Sequence, residues 1–176
     1  HIDVGAVRLE AGCTPHEVLC LDDLELVVPP RARSDSYMVM GYPCSKNRKA
    51  LNGEEFHARL YHFLAVEATP EQYQDLNRSA DEQIALLFNR KNVWRPQGRV
   101  TAPDLNGISG GGVWHLAPES QVPLAKAKLA AIAVEWHDRV RVKHVLATRI
   151  QPLIALLTAR YQIIRDAVTT YLRDAT

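Results

Sequence analysis

The segment with the clearest chemical potential is a glycine-rich stretch around Ser109. Residues 104–114 have the sequence Asp-Leu-Asn-Gly-Ile-Ser-Gly-Gly-Gly-Val-Trp, with four glycines, three of them consecutive. Glycine adopts positive φ angles and lets backbone N–H groups approach a ligand closely. A serine in such a stretch combines an exposed hydroxyl with nearby backbone donors, which are two requirements of acyl transfer. A glycine-rich surface turn in which Ser109 is incidental explains the same residues equally well.

Two catalytic arrangements compete for this segment. Gly107-x-Ser109-x-Gly111 satisfies the nucleophile elbow of α/β-hydrolases, which requires a buried strand before the serine and a helix after it. Residues 101–106 form a poor buried strand, and residues 112–116 are predicted to be a strand. The sequence therefore lacks both the buried strand and the helix that the elbow requires. The other arrangement is a loop, a serine, two glycines and then a strand, and it fits. An esterase that uses the elbow with Asp138 and His144 stays open as an alternative.

Short strands separated by turns must position this serine, because β-type runs dominate the first 150 residues. They are predicted at 4–9, 24–28, 36–41, 58–65, 83–88, 112–116, 128–135 and 140–149. Residues 71–85 are ambiguous and partly helical. From Pro152 onward, apolar residues recur every three or four positions, which predicts one amphipathic helix. Many strands followed by one helix predict an all-β barrel or sandwich with a helical cap.

The composition excludes several classes of protein. The 176 residues include 21 Lys+Arg and 20 Asp+Glu, and this near-neutral balance offers no bulk attraction to nucleic acid or to an anionic membrane. No apolar run approaches the ~20 residues of a membrane span. The acidic residues and histidines at 54–62 lack the H-E-x-x-H spacing, so we expect no metal site. Cys13, Cys20 and Cys44 predict reduced thiols in a reducing, cytoplasmic compartment, with a Cys13–Cys20 bridge as the alternative.

Taken together, these segments resemble the chymotrypsin-like (trypsin-fold) serine proteases, and their bacterial trypsin-like relatives in particular. Residues 107–111 resemble the nucleophile loop and are the most specific match. Four weaker matches follow the family's order. They are the strand that carries the triad aspartate at 3–9, the glycine-aromatic-proline strand end at 41–43, the strand bordering the substrate channel at 129–134, and the Thr-Arg-Val-type end before the closing helix at 148–150. The resemblance spans nearly the whole chain.

The resemblance implies an all-β, chymotrypsin-like double β-barrel with a C-terminal α-helix. The chain would hold the last strand of the first barrel and all of the second barrel. The expected boundaries are 1–33 for the last strand of the first barrel and the crossover, 34–150 for the second barrel with the nucleophile loop, and 151–176 for the helix.

The resemblance also implies a serine endopeptidase that hydrolyses peptide bonds through an acyl-enzyme on Ser109, without a cofactor or metal. The N–H groups of Gly107 and Ser109 would form the oxyanion hole, and Asp3 would be the acid of a Ser-His-Asp triad. In this family the histidine lies tens of residues before the aspartate, so we expect an upstream segment of the same protein to supply it. Without that segment the 176 residues should be inactive and poorly behaved. The expected partner is a protein or peptide substrate, with no nucleic acid and no membrane.

Several positions bear on activation and specificity. Ile108 stands where many digestive members have an aspartate that pairs with a new N-terminus, so activation of that kind is not expected. Val145 falls where the family often has a pocket-wall glycine, which predicts a shallow pocket for a small apolar side chain. Asp104 lies nearby and would instead favour a basic one. Val134 and Glu135, at the end of the channel-bordering strand, are expected to contact substrate.

Two further interpretations need no catalysis. The first is an inactive protease-like module that binds peptides or a partner through the cleft, which loss of the upstream histidine would favour. The second is a plain structural β-domain.

Overall fold

The computed structural model describes residues 19–29, 35–44, 59–95, 98–116, 127–138 and 141–174. Within these ranges the chain forms a short 3₁₀ turn at Leu21–Asp23, eight strands and three α-helices. The strands are β1 Ser36–Gly41, β2 Tyr61–Glu67, β3 Gln83–Leu87, β4 Val93–Arg95, β5 Gly98–Val100, β6 Gly112–Leu116, β7 Lys128–His137 and β8 His144–Arg149. The helices are α1 Pro70–Leu76, α2 Ile150–Arg160 and α3 Gln162–Asp174.

Six strands form a closed antiparallel barrel in the order β1-β2-β3-β8-β7-β6. Two three-strand units, β1–β3 and β6–β8, join through the β1–β6 and β3–β8 pairs, which close the barrel. The β4–β5 hairpin lies between the two units in the sequence. An all-β barrel with a helical C-terminus is therefore confirmed. The expected first-barrel strand at 4–9 lies outside the described residues, so the double barrel stays a prediction.

The barrel interior is filled by alternate residues of the strands. On β2, for example, Tyr61, Phe63 and Ala65 are buried while the residues between them are exposed, which is the two-residue period of a strand. β8 is buried along its whole length. Its outward residue Leu146 packs with Tyr73 of α1 in a second apolar cluster outside the barrel.

Helix α1 resolves the ambiguous segment at 71–85. Thr69 and Gln72 form a capping box, in which the Thr69 hydroxyl accepts the Gln72 N–H and the Gln72 side chain accepts the Thr69 N–H. Pro70 occupies the first helical position, where its missing N–H has no helical partner to lose. Asn77 ends the helix in the left-handed conformation, with φ of 50°. The chain then turns into β3.

Residues 24–28 are not a strand, and that prediction was wrong. Leu24 makes one parallel bridge to Leu129 of β7, and the following residues form no ladder. Their polar anchors explain the difference, because Glu25 is 4% exposed and its backbone carbonyl accepts the Gln151 side-chain amide. The segment is held by side chains as well as by its bridge.

Glu25 also pairs with a partly buried histidine of the barrel. His115 Nδ1 lies 2.6 Å from Glu25 Oε1, and His115 Nε2 lies 3.7 Å from Asp35 Oδ1. The hydrogen bond with Glu25 raises the pKa of His115 against the opposing effect of burial, and Asp35 adds to the rise. The ion pair attaches the segment at 19–29 to β6.

The C-terminal segment contains two helices, so the single helix predicted from Pro152 was wrong. Tyr161 is extended, with φ of −121° and ψ of 112°, and separates α2 from α3. The Arg165 guanidinium donates to the carbonyls of Thr158 and Ala159 at the end of α2. An arginine at this place satisfies carbonyls that a helix end leaves without intrahelical donors. The apolar spacing continues through the break and therefore did not reveal it.

A buried ion pair holds the junction between β8 and α2. Arg149 is 1% exposed, and its Nη2 lies 3.1 Å from Glu67 Oε1 while its Nε donates to the Ala80 carbonyl at 2.8 Å. The Glu67 carboxylate also accepts the hydroxyls of Tyr37 at 3.1 Å and Tyr73 at 2.7 Å. Burial, together with the charge of Glu67, raises the pKa of both tyrosines, so they remain donors to the carboxylate.

Candidate functional site

Ser109 lies at the exposed tip of the loop that precedes β6. The loop begins with Asp104, whose Oδ1 accepts the Asn106 N–H at 2.9 Å. Two turns follow, in which Ile108 and Gly111 each donate an N–H to the carbonyl three residues earlier, both at 2.9 Å. These local hydrogen bonds define the path of the loop.

Hydrophobic burial anchors the loop from beneath. Ile108 is 2% exposed and Leu105 is fully buried, and both belong to the barrel core. A Cβ added to Gly41 would lie 2.7 Å from Ile108 Cδ1, which shows how closely the side chain approaches the end of β1. Ile108 is therefore an apolar anchor of the loop. The loop is held by core packing, without an ion pair from Ile108.

Two glycines are required by close backbone approaches. Gly107 has φ of 84°, and a Cβ there would lie 2.3 Å from Cys44 Sγ. A Cβ on Gly111 would lie 2.5 Å from the Met40 carbonyl oxygen. The Cys44 N–H donates to the Asn106 carbonyl at 2.7 Å, which ties the chain after the Gly-Tyr-Pro end of β1 to the loop. Larger side chains at these two glycines would displace the loop.

The loop is also fastened to β7 immediately before a β-bulge. Gly110 donates to the Ala133 carbonyl and Ala133 donates to the Gly111 carbonyl, both at 2.8 Å. The pairing of β7 with β8 then shifts between Ala133 and Glu135, which leaves Val134 without a partner on β8. Bulges redirect side chains and are common beside active sites. The bulge places residues 134–137 next to the loop.

Two backbone donors and the serine hydroxyl are available to a ligand. Within the described part of the chain, the N–H groups of Gly107 and Ser109 donate to no acceptor, whereas those of Ile108, Gly110 and Gly111 do. The hydroxyl of Ser109 makes no hydrogen bond there either. An oxyanion hole needs preorganised N–H groups whose acceptor is the developing oxyanion of the substrate. The expected donors therefore have the availability that the role requires.

A polar cavity of about 340 Å³ opens on one side of Ser109. Val134 and Glu135, the expected substrate contacts, line it together with Trp136 and His137. The Trp136 indole N–H is buried and has no partner among the described residues. His137 Nε2 lies 2.7 Å from Glu135 Oε2. The sequence predicts Trp136 as a core or pocket-wall residue, whereas nothing in its spacing singled out His137.

An apolar cavity of about 470 Å³ opens on the other side of Ser109. Its walls include the glycines at 110–112 and side chains from β1, β6 and β7. These side chains belong to Met40, Trp114, Leu129 and Ile132. Tyr42 and Leu60 also line the cavity. Ser109 thus stands between a polar cavity and an apolar one.

Two expected substrate contacts lie elsewhere. Val145 is fully buried in the barrel core and lines neither described cavity beside Ser109. Asp104 lines neither of them and has a carboxylate oxygen 3.8 Å from Arg90 Nη1. Neither the shallow apolar pocket nor the acidic pocket gains support from these positions. Asp3 lies outside the described residues, so its expected role stays a prediction.

The esterase interpretation also gains no support. Strand β6 follows Ser109, where the nucleophile elbow requires a helix. The Asp138 carboxylate lies 3.3 Å from Lys143 Nζ, and His144 Nδ1 lies 2.7 Å from the Val142 carbonyl oxygen. The two proposed triad partners are thus engaged with other groups.

No family model matches the sequence, and no curated protein matches it significantly. Among the described residues, no three metal-ligating side chains come together. No helix in those same ranges is long and apolar enough to cross a membrane.

Proposed function

We propose that this chain is part of a chymotrypsin-like serine endopeptidase, a double-barrel enzyme that cleaves peptide bonds through an acyl-enzyme on Ser109. One observation carries the proposal: an exposed serine shares its loop with two N–H groups that have no acceptor in the described structure. The closed six-strand antiparallel barrel supports it. The β7 bulge beside Ser109 supports it as well.

The chemistry follows from these groups. Ser109 Oγ attacks the substrate carbonyl as its proton passes to a histidine, and the N–H groups of Gly107 and Ser109 stabilise the oxyanion that forms. The histidine then gives the proton to the leaving amine, and the C–N bond breaks. A water molecule, deprotonated by the same histidine, hydrolyses the ester and restores the serine. Asp3 orients the histidine, which the family resemblance places upstream of Asp3.

The polar cavity is the proposed site for the substrate side chain that precedes the scissile bond. Its wall at Val134 and Glu135 directly follows the point where the loop and β7 exchange two hydrogen bonds. A substrate side chain that enters the cavity would bring its carbonyl carbon towards Ser109. The cavity lining is mixed in polarity, so hydrogen bonding as well as size would select the side chain.

Covalent labelling with a fluorophosphonate probe tests the proposal. The chain is compared with and without its natural upstream sequence, and the adduct is located by peptide mass spectrometry. We expect an adduct on Ser109 that requires the upstream sequence and that Ser109→Ala abolishes. Ser79→Ala is the matched control, because Ser79 is an exposed loop serine outside the site, and this variant should label normally. Absence of an adduct on folded protein with the upstream sequence would overturn the proposal.

A peptide-binding module without catalysis is the second candidate. It is favoured by the absence of any hydrogen bond between Ser109 and a histidine in the described ranges. Without a base, a serine hydroxyl is a weak nucleophile at neutral pH. Saturable peptide binding by both the unchanged chain and Ser109→Ala, with no probe adduct on either, would identify this function.

A further inference from the structure

Another cavity, of about 410 Å³, lies between α1 and the turn that joins β7 to β8. We call it the basic cavity. Its ionisable lining consists of Asp75, Arg78, His137, Arg141 and His144. His137 lines this cavity as well as the polar cavity beside Ser109. The two cavities therefore share one lining residue.

His144 lines the basic cavity, and only one of its ring nitrogens has a partner among the described residues. The residue is 4% exposed and its ring stacks on His137, with ring centroids 4.7 Å apart. Because a carbonyl only accepts, the 2.7 Å contact with the Val142 carbonyl means that Nδ1 carries the proton. No described residue is hydrogen bonded to Nε2. Because His144 lines the cavity, this nitrogen is available to a ligand that binds there.

The charges around the basic cavity favour an anionic ligand. Arg78 and Arg141 are exposed at its border, and neither guanidinium forms an ion pair with a described residue. Against these two cations stands one acidic lining residue, Asp75. Glu135, the nearest other carboxylate on β7, is engaged by His137. Guanidinium groups present their donors in the geometry that a carboxylate accepts.

We propose that the basic cavity binds the carboxylate of an acidic peptide side chain, held by Arg78 and Arg141 with a hydrogen bond from His144 Nε2. A peptide is the favoured source because His137 also lines the cavity beside Ser109, so an extended chain seated there reaches both. The site then selects peptides with an acidic residue near the bond at Ser109. This selection of peptides rests on the proposed function, whereas binding of the carboxylate requires no catalysis.

Carboxylate binding is expected to take up a proton. Burial lowers the pKa of His144, against the opposing effect of the Val142 carbonyl, and the nearby charges of His137 and Arg78 lower it further. His144 is therefore neutral in the empty cavity at neutral pH, and its Nε2 has no proton to donate. A bound carboxylate favours the protonated ring, because an opposite charge stabilises it. The negative charges of Asp75 and Glu135 also favour the protonated ring of His144, and the positive charge of Arg141 disfavours it. Affinity should rise as the pH falls from 8 to 6.

The test compares two capped peptides that differ only in one glutamate or glutamine. Both are titrated by calorimetry and by NMR of the histidine side chains into Ser109→Ala, which cannot cleave them. We expect the glutamate peptide to bind about tenfold more tightly, equivalent to ~1.4 kcal/mol. Arg78→Gln and Arg141→Gln should each reduce that preference. Arg173→Gln, which removes the same charge from an exposed site on α3, should leave it unchanged.

The outcomes separate this inference from the proposed function. Equal affinity for the two peptides, or the absence of any change at His144, would overturn the inference even if the probe labels Ser109. If the glutamate peptide binds more tightly but the probe does not label Ser109, the carboxylate site stands. It would then belong to a peptide-binding module without catalysis. Inorganic phosphate is titrated in parallel. Phosphate binding with no peptide discrimination would show a site for free anions only and would also overturn the proposal.

Discussion

Replacing Ile108 tests whether core packing shapes the loop that contains Ser109. Ile108→Ala removes a side chain that is 2% exposed and belongs to the barrel core. Truncations of this kind cost about 2–5 kcal/mol, and the near-complete burial places this one at about 3–4 kcal/mol. For a chain of this length that corresponds to a fall of about 10 °C in Tm. Ile108→Val should cost only about 1 kcal/mol.

The matched control is Ile84→Ala, because Ile84 of β3 is fully buried in the same core but lies away from the loop. Urea unfolding measures the free energy of unfolding of each variant. NMR then follows the Gly107 and Ser109 amides, and the probe measures labelling at a temperature where both variants are folded. We expect similar losses of stability, with altered amide signals and slower labelling only for Ile108→Ala.

Two results would refute this reasoning. A stability loss below about 1 kcal/mol for Ile108→Ala would mean that the side chain is not a core anchor. Equal effects of the two truncations on the Gly107 and Ser109 amides would mean that Ile108 supports the loop no more than any other core residue does.

Three further predictions concern the loop and the two buried ion pairs. Gly111→Ala should cost about 1–3 kcal/mol and slow Ser109 labelling about 100-fold, because the added Cβ meets backbone oxygens at 2.5 and 2.9 Å and displaces the loop. His115→Gln should cost about 3–5 kcal/mol at pH 6, because it leaves the buried Glu25 charge without its cation. Since the folded-state pKa of His115 is raised, this contribution is complete below pH ~6.5 and is lost as the pH rises through the folded-state pKa, so the cost should shrink by pH 9. Glu67→Gln should cost about 3–5 kcal/mol in urea unfolding, because the buried guanidinium on β8 loses its counter-ion.

Each of these predictions has a matched control. Gly98→Ala changes another positive-φ glycine, with open space around it, and should leave labelling unchanged. His62→Gln removes an exposed histidine of β2 and should change stability by no measurable amount. Asp174→Asn breaks an exposed ion pair of α3 and should change stability by no measurable amount. A prediction would be contradicted if its control variant had the same measured effect as the test variant.

The sequence predicted elements wherever local patterns and burial agree. The strands at 36–41 and 112–116 appear with the bounds expected, because β-branched and aromatic residues are bounded by turn residues there. The need for glycine around Ser109 could also be predicted from the sequence, because glycine is the residue that allows a close backbone approach or a positive φ. By contrast, residues 24–28 have a strand-like composition, but a buried ion pair and one bridge determine their conformation. The break at Tyr161 leaves no mark in the apolar spacing.

The chain by itself determines which residues can react and which must be small. Ser109 and its glycines carry that information in their residue types alone. Only the tertiary structure decides what surrounds them. In the folded protein, Val145 lies in the core and His137 lines two cavities. Ile108 packs into the core and anchors the loop. The direction of these side chains depends on the β7 bulge and on closure of the barrel, which pair residues far apart in the chain. Local periodicity reports only neighbours, so it cannot specify those contacts.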